Sequence, residues 1–154
     1  PGMAEWEFVA RNRGAEAGAT PGGGTLLSAG DLDRCEPPVL LDDGSDLGAQ
    51  AWYCGNSDAT PGKTTRPAGQ LAPNPLGVYD LLGNVYEFTM DGWLSQYPGD
   101  ETDPAGSPTS EFRVVRGGGW NARPRVLRVG FRTSSLPTNR SDNLGLRIAR
   151  TLPE

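Results

Sequence analysis

The chain has 154 residues, 14 basic and 19 acidic side chains, a net charge of −5, no histidine, 22 glycines and 14 prolines. That length is one domain with room for a sizeable core, and four Trp, four Tyr and four Phe favour a loop-rich fold over disorder. Without histidine, imidazole-held metals, His-ligated haem and His-activated nucleophiles are excluded, and no apolar run is long enough to span a bilayer.

Pro1 is not an initiator residue, so the chain reads as a trimmed or processed piece, and no signal peptide opens it. Met3 to Arg11 (MAEWEFVAR) predicts a helix with Met3, Trp6, Phe8, Val9 and Ala10 largely on one side. Glu5 and Glu7 lie early and Arg11 and Arg13 late, as the helix dipole prefers, and Gly14 follows as a stop. From Gly18 to Gly48 the chain is dominated by Gly, Pro, Asp and Ser around two apolar islands, Leu26–Leu27 and Val39–Leu41. That composition predicts a long irregular surface excursion. Ala51-Trp52-Tyr53 anchors its far end, and Asn56 to Pro75 is loop again.

Within Leu76 to Thr89, the residues Val85, Tyr86, Phe88 and Thr89 are strand formers, while Leu81, Leu82, Val85 and Phe88 offer core bulk. Asp91 to Ser110 is turn-rich. Phe112 to Arg116 predicts a strand stopped by Gly117-Gly118-Gly119. Trp120, an arginine-rich stretch and a last strand, Leu144 to Ile148, complete the chain. Gly77, Gly83 and Gly117–Gly119 mark places where the backbone needs positive φ or close approach. The expected class is α+β: one or two helices, short strands and dominant loops.

Charge is unevenly divided. Residues 1–112 hold 5 basic and 17 acidic groups, whereas residues 113–150 hold nine arginines and one acid, Asp142. The arginines are spaced among Val, Leu, Phe and Ile, so many are expected to pair with acids of the same chain, and nucleic acid is not an expected partner. Asp31/Asp33 and Asp42-Asp43 read as solvated loop acids, and Glu87 is expected to pair with an arginine from the C-terminal third. Cys35 and Cys54 allow one disulfide or two free thiols, and their spacing fits neither a CxxC redox motif nor a zinc site. Two small buried thiols are the expected state.

Three blocks carry a resemblance. Ala4–Arg11 (AEWEFVAR), Asn74–Phe88 (NPLGVYDLLGNVYEF) and Arg113–Arg147, from RVVRGGGW to NLGLR, resemble in order and spacing the formylglycine-generating-enzyme (sulfatase-modifying factor) family. The resemblance implies a C-type-lectin-like fold over a single domain, residues 1–154. The family's N-terminal strand region has no counterpart in this sequence. It also implies a calcium site at Leu82, Gly83, Val85 and Glu87, a hard oxygen set of the kind that ion favours. The family's oxidase chemistry uses a cysteine pair shortly after the glycine-rich strand end; Trp120 to Arg128 contains no cysteine. The iron-dependent branch needs histidine. No catalytic residue, and no cofactor beyond the calcium option, is therefore expected.

Asn121 to Asn143 also resembles the variable region of proteins diversified by retroelements, in which a reverse transcriptase rewrites adenines of asparagine codons. The fixed positions of that pattern match Gly117, Gly118, Trp120, Pro124, Leu127, Arg128, Arg132, Pro137, Asn139, Arg140, Asn143, Leu144, Gly145 and Arg147. The exchangeable slots fall at Asn121, Ala122, Arg123, Arg125, Val126, Phe131, Thr133, Ser134, Ser135, Ser141 and Asp142. Adenine replacement in an asparagine codon cannot give Lys, Gln, Glu, Met or Trp; residues 121–150 contain none of these, although 18 residues of the chain belong to them. The resemblance implies a non-catalytic binding module whose residues 117–147 face an unidentified protein or surface macromolecule. Its slots should be solvent-exposed, and its fixed glycines, Trp120, Leu127 and Leu144 structural. The alternative is a degenerate or accessory member of the enzyme family.

Overall fold

A computed structural model describes residues 1–15, 18, 20, 31–57, 64–96 and 106–150. Helix α1 spans Met3–Ala10, and 3-10 turns cover Asp31–Asp33, Leu47–Ala49 and Pro124–Val126. The strands are β1 (Ala51–Trp52), β2 (Leu82–Gly83), β3 (Tyr86–Gly92), β4 (Arg113–Arg116), β5 (Thr133–Ser135) and β6 (Leu144–Leu146). Parallel β1 and β2 form a small sheet, and the larger one has the order β5-β4-β3-β6. In it β4 is antiparallel to both neighbours, whereas β6 runs parallel to β3.

Helix α1 forms where its sequence predicts but buries a narrower stripe: Met3, Trp6 and Ala10 face inward, while Phe8 is 54% exposed. Phe8 lies about 200° around the helix from Trp6, too far to share its face. The helix closes one residue early. Asn12, Arg13 and Gly14 all take positive φ, and the Arg13 N–H returns to the Phe8 carbonyl at 2.8 Å. The start is held by carboxylates: Glu5 accepts from the Gly2 N–H at 2.8 Å, and Asp91 of β3 accepts from the Met3 N–H. Both suit the unpaired donors and positive end of a helix N-terminus.

The apolar core gathers Trp6 and Ala10 with Val39, Leu41, Leu47, Ala51, Tyr53, Leu81, Leu82, Leu127 and Val129. The front loop is not wholly a surface excursion: Val39 and Leu41 are buried in the core, with Leu40 turned outward; Leu26–Leu27 lies outside the described residues. Two glycines are fixed by space as well as by φ. A Cβ at Gly83 would overlap the Trp52 carbonyl across the β1–β2 pair, and one at Gly118 would overlap Leu127.

Strand β3 reverses one expectation. Its inward side chains are Glu87, Thr89 and Asp91, while Phe88 is only half-buried on the opposite face and Met90 is 77% exposed. The strand also runs on to Gly92. Alternation is obeyed, but the inner face is polar because each group has a partner elsewhere. Glu87 Oε2 accepts from the Trp6 indole N–H at 2.8 Å and from Arg147 Nε at 2.9 Å, and Oε1 accepts from Arg147 Nη2 at 2.5 Å. The Thr89 hydroxyl donates to the Val114 carbonyl at 3.2 Å. Beside them Arg116, fully buried, pairs with Glu7, donates to the Phe131 carbonyl at 3.0 Å and lies 5.1 Å from the Trp6 ring centroid.

The thiol expectation is corrected: Cys35 and Cys54 are joined in a disulfide with an S–S distance of 2.06 Å. Their Cα atoms, 5.2 Å apart across 19 residues of sequence, meet because the front loop folds back on the core.

Glu87 sits 5% exposed and is held by one guanidinium. Arg147→Met should therefore destabilise the protein by about 3 kcal/mol or more, since it leaves a buried charge without its cation. Glu87→Gln combined with Arg147→Met should cost less than the single change. Urea unfolding at neutral pH measures both; a double variant at least as unstable as Arg147→Met would contradict this role.

Candidate ligand-binding face

The register brings the slots to one end of the larger sheet. There β4 runs out through Gly117–Gly119, and Thr133 and Leu144 open β5 and β6 opposite Val115 and Tyr86. The Asn121–Phe131 loop follows Trp120 at that end. Residues 136–143 then cross from one edge strand to the other over the outer face of the sheet. A groove of about 630 Å³ lies beneath that crossover, lined by Phe88, Asn139, Ser141, Asp142 and Leu146 among others. Phe88 lines this groove with the crossover and stands outside the apolar core cluster.

Several fixed positions of the pattern brace this end, whereas Arg128, Pro137, Asn139 and Arg140 are exposed. Trp120 is 6% exposed, its backbone N–H donating to the Asn84 carbonyl at 2.8 Å, and Leu127, with its neighbour Val129, is buried in the core. Arg132 lies 4.5 Å from the Trp93 ring centroid and donates to the Leu94 carbonyl at 2.5 Å. Arg147 adds the Tyr79 and Asp80 carbonyls, both at 3.0 Å, to its pair with Glu87. Leu144, expected to be structural, is half-buried. Asn143 links two parts of the face: its Nδ2 donates to Asn121 Oδ1 at 3.0 Å, and its Oδ1 accepts from the Ser141 hydroxyl at 2.7 Å.

The slots divide by exposure. Asn121, Arg123, Arg125, Ser141 and Asp142 are exposed; Val126, Phe131, Thr133, Ser134 and Ser135 are half-buried. Thr133 and Ser135 lie opposite Val115 and Arg113, and Ser134 lies opposite Val114 on the other face. Ala122 departs from the expectation of exposure. Its methyl is 7% exposed within the core cluster, its N–H donates to the Gly119 carbonyl at 2.9 Å, and its carbonyl accepts from the Cys54 N–H at 3.1 Å. A larger side chain there would enter the core, so Ala122 belongs to the support and not to the exposed face.

One member of the face was missed in the sequence. Asp33 Oδ1 lies 3.6 Å from Arg123 Nη1 and 3.2 Å from Arg125 Nη1, with all three side chains about half exposed. Composition indicates that acids and arginines should pair, but not which loop acid reaches which arginine. Asp43 instead closes its own turn, accepting from the Ser45 N–H at 2.9 Å and hydroxyl at 2.6 Å.

Glu87 pairs with an arginine of the C-terminal third, as expected. A calcium ion does not fit this donor set: both carboxylate oxygens are engaged by Arg147 or Trp6, and a guanidinium occupies the place a cation would take. Among the described residues no group of three or more His, Cys, Asp or Glu stands together. Burial, with Asp46 alongside, pushes the Tyr53 phenol up to about 12, and burial also raises that of Tyr86, so both stay neutral around pH 7. Among the described residues no helix is long and apolar enough to cross a membrane.

The chain belongs to the sulfatase-modifying factor enzyme 1-like domain family, whose pattern matches residues 1–152. It is 31% identical to a formylglycine-generating enzyme of Thermomonospora curvata, over 97% of this chain and 48% of that protein. The solved structure of Treponema denticola variable protein 1 is similar with a TM-score of 0.69 and 29% identity, over 95% of this chain and 45% of that one. PvdO from Pseudomonas aeruginosa is similar with a TM-score of 0.67 and 29% identity, over 94% and 49%. This chain spans less than half the length of each. The fold is thus the loop-rich α+β, C-type-lectin-like fold of the formylglycine-generating-enzyme type, and it is shared with a variable protein.

Proposed function

We propose that this chain is a non-catalytic ligand-binding module whose residues 117–147 form a variable region, diversified by a retroelement, on a rigid lectin-like scaffold. One observation carries the reading: within a single stretch of sequence, fixed-pattern residues such as Trp120, Leu127, Arg132 and Arg147 hold the fold, while Asn121, Arg123, Arg125, Ser141 and Asp142 face solvent. Exchange at the second set leaves the first untouched, which is what a display surface requires. The partner is a protein or other surface macromolecule. No cofactor takes part, and calcium has no role at Glu87.

The side chains at hand support a non-catalytic reading. The family's oxidase chemistry needs free thiolates, and the two cysteines of this sequence are joined to each other. Neither lies between Trp120 and Arg128. Likeness to a variable protein of the same fold supports binding as the use to which the scaffold is put.

The DNA around the coding sequence tests the diversification directly. A near-copy of codons 117–147 with asparagine codons at the slots, beside a reverse transcriptase gene, is expected; a genomic neighbourhood with neither would overturn it. Binding energy should centre on Phe131 and one of Arg123 or Arg125, since an aromatic and an arginine are the usual anchors of an interface. Alanine at each anchor should cost about 2 kcal/mol or more against a captured ligand, and alanine at Ser134 or Ser141 less than about 1 kcal/mol. Binding that maps to Glu36, Asp42 and Asp43 instead would contradict the display face.

A further inference from the structure

We propose that Asp33 is a built-in counter-charge for Arg123 and Arg125, and that an acidic protein partner docks by taking the two guanidiniums over from it. The inference rests on the display-face reading and adds the partner's chemistry at one part of that face. Asp33 lies outside the variable region, so it meets every residue that slots 123 and 125 receive.

A single oxygen, Asp33 Oδ1, serves both arginines, through one Nη1 each. Among the described residues no other side chain bonds either guanidinium, and both side chains are 56% exposed, with N–H donors to spare. Two cations around one anion keep a surplus positive charge. Exposed contacts of 3.6 and 3.2 Å are also weak ones. A partner carboxylate that reaches the open edges can make two parallel, charge-assisted bonds and shed water on docking, which Asp33 at its present distance does not.

The position of Asp33 is fixed from below. Cys35, two residues on, is bonded to Cys54, and the Cys54 N–H donates to the Ala122 carbonyl next to Arg123. The loop that carries the acid and the loop that carries the arginines are therefore fastened at one residue. The spacing between the two guanidiniums already fits a carboxylate, because a carboxylate lies between them. A carboxylate is favoured over nucleic acid because the group already seated between the two guanidiniums is a carboxylate, and a single-stranded DNA octamer is the comparison in the test.

The test uses fluorescein-labelled octaglutamate at low salt, followed by anisotropy, with the disulfide-intact protein. Arg123→Ala with Arg125→Ala should weaken binding about tenfold or more. Asp33→Asn, nearly isosteric and half exposed, should tighten it about threefold by removing the competitor. Glu111→Gln, an exposed acid of another loop, should change it by less than about 1.5-fold. Each variant is accepted once its thermal unfolding matches that of the parent. Asp33→Asn that weakens binding or merely equals Glu111→Gln would overturn the proposal. So would octaglutamate binding that ignores the arginines, or a single-stranded DNA octamer that binds as tightly. Any of these outcomes leaves the display-face reading to the flanking DNA, which does not depend on Asp33.

Discussion

The rest of the structure depends on the carboxylate of Glu87, held between the Trp6 indole N–H of the helix and the guanidinium of Arg147 beyond β6. Through it the first and last blocks of the chain are fastened to the central strand. A charge buried this deeply is tolerated only with its partners in place, so helix, strand and C-terminal segment must assemble together. The pair of Glu7 with Arg116 repeats the device between α1 and β4. Burial alone would raise the Glu7 carboxyl, but the hydrogen bond from Arg11 and the charge and hydrogen bond of Arg116 outweigh it and hold it below its ordinary value of 4.5. The stability it lends is complete above that value and is lost as the pH falls through the depressed one.

Such bracing separates two kinds of arginine within one sequence. Arg116, Arg132 and Arg147 are spent on the chain's own carbonyls, carboxylates and indole rings. Arg123 and Arg125 are more than half exposed and, among the described residues, share one half-exposed acid. The first group sets where the backbone of residues 117–147 runs. In the proposed reading, the second sets what that stretch offers a partner. A scaffold fixed by buried polar contacts and a small apolar core can accept exchange at its rim without losing its shape.

What the sequence made legible is local. The helix, the β4 strand and its glycine stop follow from periodicity and backbone permissions within a few residues, and the motif blocks led to the fold. The inward polarity of β3 was not legible, because Val85 and Phe88 look like core until Trp6, Met3 and Arg147 arrive from distant sequence to satisfy Glu87 and Asp91. Phe8 misled for a related reason: apolar content alone does not say which face of a short helix is covered. The disulfide, the burial of Ala122 and the reach of Asp33 to the slots share one tertiary event, the return of the front loop to Cys54. The depth of the proposed slots was not legible: Ala122 lies in the core, and Thr133, Ser134 and Ser135 are half-buried.

The central claim is that the scaffold stands apart from what it displays. Its most direct test is urea unfolding of one variant carrying alanine at Asn121, Arg123, Arg125, Thr133, Ser135, Ser141 and Asp142 together. The account predicts a single cooperative transition with the disulfide intact and a stability within about 2 kcal/mol of the parent, as for exposed or half-buried positions outside the apolar core cluster. Loss of the cooperative transition, or a fall of about 5 kcal/mol or more, would show that these side chains are part of the fold and would contradict the separation.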